Sequence, residues 1–220
     1  MPDSRRKIVV AVCTYHRNEP LRTLLDAVIV AADAVRDDAQ IGVVIVDDDA
    51  EGKARPVVDG YEGVFPLGIH YRISGKQNIS LARNIAIETA APLGEWIAMT
   101  DDDCEVSEQW FVAFLDLLER TGADAATGCH LRRAPASAPQ WLRDHPFLES
   151  GPIVIREDGS VPDYGQTNNS IIRSRFLLDR DLGQVLEAAV VIGLGLRGRV
   201  PEALLFIVGL DERDAGAAHV

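Results

Sequence analysis

Residues 95–110 of the chain read EWIAMTDDDCEVSEQW, and this stretch decides the fold. It opens with Glu95–Thr100, whose apolar centre predicts a short buried strand, and continues into the three aspartates 101–103. Apolar residues then recur at helical spacing over 110–118, and Ser107 is predicted to cap this helix at its N-terminus. A strand that ends in acidic residues and leads into a helix favours an α/β fold with a mainly parallel sheet.

The same alternation of strand and helix patterns runs through the preceding residues. The strongest strand candidates are unbroken runs of β-branched apolar residues, which are typical of strands buried on both faces. We predict strands at Lys7–Cys13, Ile41–Val46, Gly68–Ile73 and Asp124–Cys129, and helices over 21–35 and 80–90. The inward face of the second helix is predicted to comprise Leu81, Ala82, Ile85, Ala86 and Thr89.

Composition narrows the class of protein and its partners. The chain is 47% hydrophobic and 25% charged, which is typical of a folded globular domain. Its net charge of −12 argues against nucleic acid or an anionic membrane as a general partner, because both bind cationic surfaces. Three cysteines are too few for a disulfide framework, and no apolar run suits a signal sequence or a transmembrane segment. We expect a cytoplasmic protein, either fully soluble or peripheral at the inner face of the membrane.

Two runs of three aspartates follow predicted strands, and we call them the 47–49 run and the 101–103 run. Three adjacent carboxylates repel one another, and Mg²⁺ or Mn²⁺ can neutralise them while also binding substrate phosphate. The 47–49 run can accept hydrogen bonds from the base or ribose of a nucleotide. Both runs have a simpler interpretation as solvated acidic turns. Because parallel strands end at one edge of a sheet, we expect both runs on the same face.

The first predicted strand ends in CTYHR at 13–17, where dinucleotide folds carry a glycine-rich turn. Its absence argues against a nicotinamide or flavin enzyme. Thr14, Tyr15 and Arg17 offer a hydroxyl, an aromatic face and a cation to a nucleotide instead. We interpret His16 as a loop histidine with no fixed role.

These motifs, in this order, resemble those of family 2 glycosyltransferases, which have the GT-A fold. The resemblance covers residues 7–182. ARN at 82–84 resembles the family's helix motif, and Arg83 can pair with a diphosphate, although a surface arginine without function explains it equally well. The other matching segments are VVAVCTYHR (9–17), VIVDDDA (44–50), TDDDCEVSEQW (100–110) and TNNSIIR (167–173).

The resemblance implies transfer of a sugar from a nucleotide-diphospho-sugar, with a UDP-sugar favoured, to a hydroxyl of a glycan or lipid-linked acceptor. It implies inversion at the anomeric carbon and a GT-A type nucleotide-diphospho-sugar-binding fold. A nucleotidyltransferase would carry a glycine-rich basic loop in place of CTYHRNEP (13–20). The residues implied at the donor are Asp101 and Asp103 on Mn²⁺ or Mg²⁺, Asp48 and Tyr15 on the base, Asp102 on the ribose, Arg83 near the phosphates, and Thr14 and Arg17 on the nucleotide.

The resemblance divides the chain into a glycosyltransferase-like domain, 1–182, and a divergent tail, 183–220. An inverting transferase needs a general base, which the family carries in a Gly-Gly-Glu-Asp-like stretch that this tail lacks. Asp211 and Glu212 are the only acidic pair in the tail, and the base stays unassigned. The tail is either natural divergence or the product of a reading-frame change, since its Ala, Gly, Val, Leu and Arg content is typical of a shifted GC-rich frame. The alternative function is a catalytically impaired, nucleotide-sugar-binding remnant.

Overall fold

A computed structural model describes residues 3–128, 131–134, 137–143, 167–178 and 207–209, and its centre is a six-stranded sheet. In chain order the strands are β1 (Arg6–Thr14), β2 (Ala39–Asp47), β3 (Ile69–Ile73), β4 (Trp96–Met99), β5 (Cys104–Glu105), β6 (Ala125–Thr127), β7 (Leu131–Arg133), β8 (Ser170–Arg173) and β9 (Ile207–Gly209). The main sheet has the order β3–β2–β1–β4–β8–β6. Only β8 runs against its neighbours within it, so the predicted mainly parallel sheet is confirmed.

The central strands form because their apolar residues are buried on both faces of the sheet. β1 is buried without a break over 8–12, and β2 shows the same pattern. β1 pairs in parallel with β2 as far as Thr14, which lies opposite Asp47. On its other side β1 pairs with β4 as far as Ala11, which lies opposite Met99. This register brings the acidic residues that follow β2 and β4 to one edge of the sheet.

Helices cover both faces of the sheet. They are α1 (Asn18–Asp33), α2 (Arg55–Asp59), α3 (Ile79–Ala90), α4 (Trp110–Thr121), α5 (Gln140–Arg143) and α6 (Arg175–Leu178). Residues alternate between the faces, so Val10 packs in one core with α1, α2 and α4, while Val9 packs in the other with α3. No helix within the described part of the chain is long and apolar enough to cross a membrane.

The start of α4 differs from the prediction. Ser107 was predicted as the N-cap residue, whereas Gln109 occupies the N-cap position and the helix begins at Trp110. The chain makes a turn first, in which the Trp110 amide donates a hydrogen bond to the Ser107 carbonyl at 3.0 Å. The sequence does not distinguish a serine at the N-cap position from one two residues before it, because capping depends on backbone angles as well as on residue type.

The inward face of α3 also differs from the prediction, since Leu81 is exposed. Asn78 caps the helix by accepting a hydrogen bond from the Leu81 amide at 3.1 Å. The buried line of the helix consists largely of small residues, which allow it to approach the sheet closely. These buried residues are Ala82, Ala86, Ile87 and Ala90.

A second, three-stranded sheet with the order β5–β9–β7 lies next to the 101–103 run. β9 is its middle strand and pairs antiparallel with β5, which begins directly after that run. Residues 207–209 are the part of the tail that the structure describes, so Asp211 and Glu212 lie outside the described residues. The division of the chain at residue 182 stays a prediction.

Candidate active site

Thr14, at the end of β1, connects the two aspartate runs. Its carbonyl accepts a hydrogen bond from the Asp48 amide at 2.9 Å, and its hydroxyl donates to Asp102 Oδ2 at 2.7 Å. All three side chains are buried. The expectation that both runs lie on one face of the sheet is therefore confirmed.

Asp47, the first member of the 47–49 run, stabilises the loop that follows β2. Its carboxylate accepts hydrogen bonds from the amides of Asp49 and Ala54 at 2.9 and 2.8 Å. It also accepts one from the Tyr71 hydroxyl at 2.7 Å. Burial, followed by this bond to a carboxylate, raises the pKa of Tyr71 and keeps its hydroxyl a donor. The donors around Asp47 are thus all internal ones that hold the loop in place.

Asp48, the middle member, organises the loop after β3. Its Oδ1 accepts hydrogen bonds from the Ser74 hydroxyl and from the Lys76 amide, the latter at 3.2 Å. Sequence reasoning did not single out Ser74 or Lys76, because no motif marks a contact across 26 residues of chain. The carboxylate thus connects the loop after β2 to the loop after β3.

Two arginines neutralise the 101–103 run. Arg17 Nη1 donates to Asp102 Oδ1 at 3.1 Å and to Asp103 Oδ2 at 2.7 Å. Arg83 Nη2 donates to Asp101 Oδ1 at 3.0 Å. Each carboxylate is therefore paired with a guanidinium, which offsets the repulsion among three adjacent negative charges. Both arginines are residues that the sequence assigned to a nucleotide.

The three carboxylates of this run differ in burial. The exposed fraction of the side chain is 5% for Asp102, 22% for Asp103 and 35% for Asp101. Burial raises the pKa of Asp102 to about 6, and the bonds from Thr14 and Arg17 only partly oppose this shift. Burial also raises the pKa of Asp103. The two outer carboxylates thus reach solvent, whereas both oxygens of the middle one accept internal hydrogen bonds.

An aromatic pair follows Thr14 at the same edge. The rings of Tyr15 and His16 stack with their centroids 4.2 Å apart, and Tyr15 is 39% exposed. His16 Nε2 lies 3.0 Å from Asp49 Oδ2. This contact between the loop after β1 and the 47–49 run is one that the sequence did not indicate, and the interpretation of His16 as a residue without a fixed role stays a prediction. Its left-handed backbone, with φ of 57°, gave no signal in the sequence.

The TNN segment at 167–169 packs beside α4. Asn169 is fully buried, and its Oδ1 accepts a hydrogen bond from Trp110 Nε1 at 3.2 Å. Its carbonyl accepts from the Thr127 hydroxyl at 2.8 Å and from the Gly128 amide at 2.9 Å. A Cβ atom on Gly128 would overlap the side-chain amide of Asn169, so this close approach requires glycine.

A narrow crevice opens between β1, β4 and α3 at this edge. Its lining includes Arg83, Asp101 and Thr167, so the TNN segment and the 101–103 run contribute to one surface. Cys13 also lines the crevice, and burial raises the pKa of its thiol to about 12. A neutral thiol is a poor nucleophile, so we assign Cys13 no chemical role in the crevice.

The residues at this edge fit a divalent cation by the chemistry of their donors. Hard cations take oxygen ligands, and Mg²⁺ usually combines one or two carboxylates with water and phosphate oxygens. Asp101 and Asp103 are two such carboxylates with access to solvent. Within the described ranges, no three His, Cys, Asp or Glu side chains form a group that could hold a metal. A cation here would therefore also need oxygen atoms from water or from a bound phosphate.

The sheet order and the acidic edge define an α/β domain with the GT-A type of fold. A family model, Glycosyl transferase family 2, matches residues 9–178. The chain belongs to glycosyl transferase family 2 and carries the domain of a glycosyltransferase, as the motifs in its sequence predicted.

Relatives and solved structures agree with this assignment. The succinoglycan biosynthesis protein ExoM of Rhizobium meliloti (strain 1021) is 32% identical over 198 residues, which are 90% of this chain and 60% of that protein. The structure of S. aureus TarS 1–349 in complex with UDP has a TM-score of 0.61 at 15% identity, covering 95% of this chain and 62% of that one. The mannosyltransferase PcManGT from Pyrobaculum calidifontis, in complex with GDP-Man and Mn²⁺, has a TM-score of 0.61 at 14% identity, covering 99% and 61%. This chain thus spans about three fifths of the length of these proteins.

Proposed function

We propose that this chain transfers a sugar from a nucleoside-diphosphate sugar to a hydroxyl of a glycan or lipid-linked acceptor during polysaccharide assembly. The observation that carries the proposal is the pair of hydrogen bonds that Thr14 makes with Asp48 and Asp102. These bonds hold the 47–49 run, which suits a nucleotide, beside the 101–103 run, which suits a metal ion, at one edge of the sheet. Family membership supports it, as does the name of ExoM, a succinoglycan biosynthesis protein. The structures of similar fold contain UDP or GDP-Man, and we favour a UDP-sugar here.

The residues at the edge suit the parts of such a donor. Asp48 would accept hydrogen bonds from the base while it orders the loop at Ser74, and the exposed ring of Tyr15 would lie against the base. Arg17 and Arg83 would pair with the diphosphate, because planar guanidinium groups bind phosphate through two parallel hydrogen bonds. Asp102 would contact the ribose, in addition to accepting hydrogen bonds from Thr14 and Arg17.

Asp101 and Asp103 would hold Mn²⁺ or Mg²⁺, since they are the solvent-accessible carboxylates of the 101–103 run. A bound cation would stabilise the negative charge that develops on the departing nucleoside diphosphate. The presence of Mn²⁺ in the PcManGT complex supports this choice.

We further propose inversion at the anomeric carbon, which requires a carboxylate to take the proton from the acceptor hydroxyl. Asp211 and Glu212 are the sequence candidates, and they lie outside the described residues. The family match ends at residue 178, before the tail. The second candidate function is a nucleotide-sugar-binding protein whose transfer step is impaired, and the lack of a Gly-Gly-Glu-Asp-like stretch in the sequence after Leu182 favours it.

Thermal unfolding in the presence of UDP tests the proposal. We expect UDP to raise the melting temperature with Mn²⁺ or Mg²⁺ and to lose most of this effect with EDTA. A ligand at about 100 times its Kd stabilises a protein by about 2.7 kcal/mol, which a melting curve resolves. Asp103→Asn should abolish the extra stabilisation that Mn²⁺ or Mg²⁺ gives in the presence of UDP. Asp116→Asn makes the same change on the exposed face of α4 and serves as the matched control. Equal stabilisation with and without EDTA would refute the metal site, and no effect of UDP or GDP would refute the donor site.

A further inference from the structure

Arg17 combines a fixed backbone with a side chain that bridges two acids. Its carbonyl accepts a hydrogen bond from the Leu21 amide at 3.0 Å, which starts α1, while its side chain makes no capping bond. The guanidinium instead reaches Asp102 and Asp103 and is about one third exposed. The side chain can therefore change partner without disturbing the helix that it precedes.

We infer that Arg17 is a built-in counter-cation that competes with the divalent metal for Asp103, so that the metal binds tightly only together with the donor diphosphate. The inference rests on the proposed function, because it concerns the same metal and the same donor. In addition to contacting the diphosphate, Arg17 would make tight binding of the metal depend on binding of the diphosphate.

Charge explains the competition. The 101–103 run carries three carboxylates, and the guanidinium groups of Arg17 and Arg83 already neutralise two of these charges. A divalent cation placed on Asp103 would lie beside the guanidinium that donates to the same carboxylate at 2.7 Å, and like charges at such distances repel strongly. The site by itself is therefore a weak one for a dication.

A diphosphate removes this obstacle. It brings negative charge and oxygen atoms that bind both a guanidinium and a metal. Arg17 can then exchange the carboxylate for phosphate, which leaves Asp103 to the cation. Arg83 is less suited to this exchange, because it contacts one carboxylate only and stands within α3.

The experiment is a Mn²⁺ titration of the full chain, followed by electron paramagnetic resonance of the free ion, with and without UDP. We expect Arg17→Gln to bind Mn²⁺ without UDP about tenfold or more tightly than the parent, since the competing charge is gone. The further gain on adding UDP should be smaller in this variant. Arg17→Lys keeps the charge and should stay near the parent. Arg22→Gln, which removes an exposed arginine on α1, is the matched control and should change nothing.

The outcomes separate this inference from the proposed function. Equal or weaker Mn²⁺ binding by Arg17→Gln without UDP overturns the inference, and the proposed function stands if Mn²⁺ still binds with UDP. Failure of the parent to bind Mn²⁺ even with UDP overturns both. If Arg17→Gln melts at a lower temperature than the parent, recovery on adding Mn²⁺ supports the inference, because the metal then replaces the guanidinium. A variant that stays unfolded in Mn²⁺ shows a purely structural arginine and overturns it.

Discussion

Asp47 and Asp48 are adjacent in sequence but have separate sets of hydrogen-bond donors, which makes them separable by mutation. Asp48 faces the loop at Ser74, whereas Asp47 accepts from Tyr71 and from backbone amides of its own loop. By residue type the three aspartates of this run are equivalent, and only the family resemblance singled out Asp48. Their different donors come from β3 and from the loop after it, and no local pattern in the sequence indicates these contacts.

Asp48→Ala should weaken binding of UDP without unfolding the domain. The substitution removes an acceptor for the base and releases the loop at Ser74 and Lys76. Loss of such a hydrogen bond costs about 1–3 kcal/mol, and calorimetric titration with UDP measures it directly. Asp48→Asn, which keeps an acceptor oxygen, should lose less. An unchanged Kd in Asp48→Ala would show that this carboxylate only shapes the loop.

Tyr71→Phe should have the opposite profile, with lower stability and unchanged affinity for UDP. Its hydroxyl donates to buried Asp47, and the substitution leaves that carboxylate with one hydrogen-bond donor fewer. Leaving a buried carboxylate short of a donor costs about 1–3 kcal/mol, which urea unfolding can measure. A loss of affinity as large as that of Asp48→Ala would mean that the two aspartates act together.

Cys13 and Cys104 should be unreactive in the folded protein. Burial raises the pKa of each thiol from 9.0 to about 12, so almost no thiolate exists at pH 8. In a Cys129→Ser background, maleimide labelling should be slow until urea is added. The folded protein retains these thiol protons to a higher pH than the unfolded chain does. The free energy of unfolding should therefore fall as the pH rises above about 9. Rapid labelling at pH 8 without denaturant would contradict this.

At the scale of the elements, the long buried strands were the easiest to predict. The run at 7–13 and the run at 41–46 each lie within an observed strand. An uninterrupted apolar stretch of this length is typical of a strand that is buried on both faces of a sheet. Short elements were not predicted. Helix α2 has only five residues, and so short a segment shows no helical periodicity in its apolar residues. The start of α4 was misplaced because a cap is defined by backbone angles.

Gly128→Ala tests the junction between β6 and β8. The new methyl group would meet the side chain of Asn169, which already bonds to Trp110. Overpacking of this kind costs about 1–3 kcal/mol, and the shift of Asn169 should change the indole fluorescence. At Gly122, which ends α4 with φ of 65°, a Cβ meets nothing within 4 Å, so its alanine variant reports backbone strain alone. Equal fluorescence changes in both variants would argue against the contact with Asn169.

For the whole molecule, the order of the motifs predicted both fold and family, since each motif follows a strand and the strands end at one edge. The charge balance of the site was only half predicted. The sequence suggested Mg²⁺ or Mn²⁺ as the positive charge that offsets repulsion within the 101–103 run, yet Arg17 and Arg83 also supply positive charge from other parts of the chain. Arg17 and Asp103 are 86 residues apart, so only the folded chain shows that they meet. Residues 131–165 contain five prolines, which predicts a long surface excursion, and most of them lie outside the described residues.

The tail gives the last prediction, which concerns the full chain. We expect it to bind donor but to transfer sugar poorly, because a positioned base contributes about 10²–10⁴-fold to such a step and Gly183, Gln184 and Val185 cannot take a proton. A variant without residues 183–220 should still bind UDP, since all six strands of the main sheet precede residue 183. It should be less stable, because it loses β9, the middle strand of the small sheet.

Donor hydrolysis and sugar transfer by the full chain and by the deletion variant measure these effects, with circular dichroism as the control for folding. The informative comparison is Asp211→Asn combined with Glu212→Gln, because it removes the two candidate bases and leaves β9 in place. Weak transfer that this double variant does not lower further agrees with an impaired enzyme. Robust transfer by the full chain that the double variant loses would identify the base in the tail, because a carboxylate is the group that the transfer step requires there. The chain would then be a complete catalyst, and the tail a part of its acceptor site.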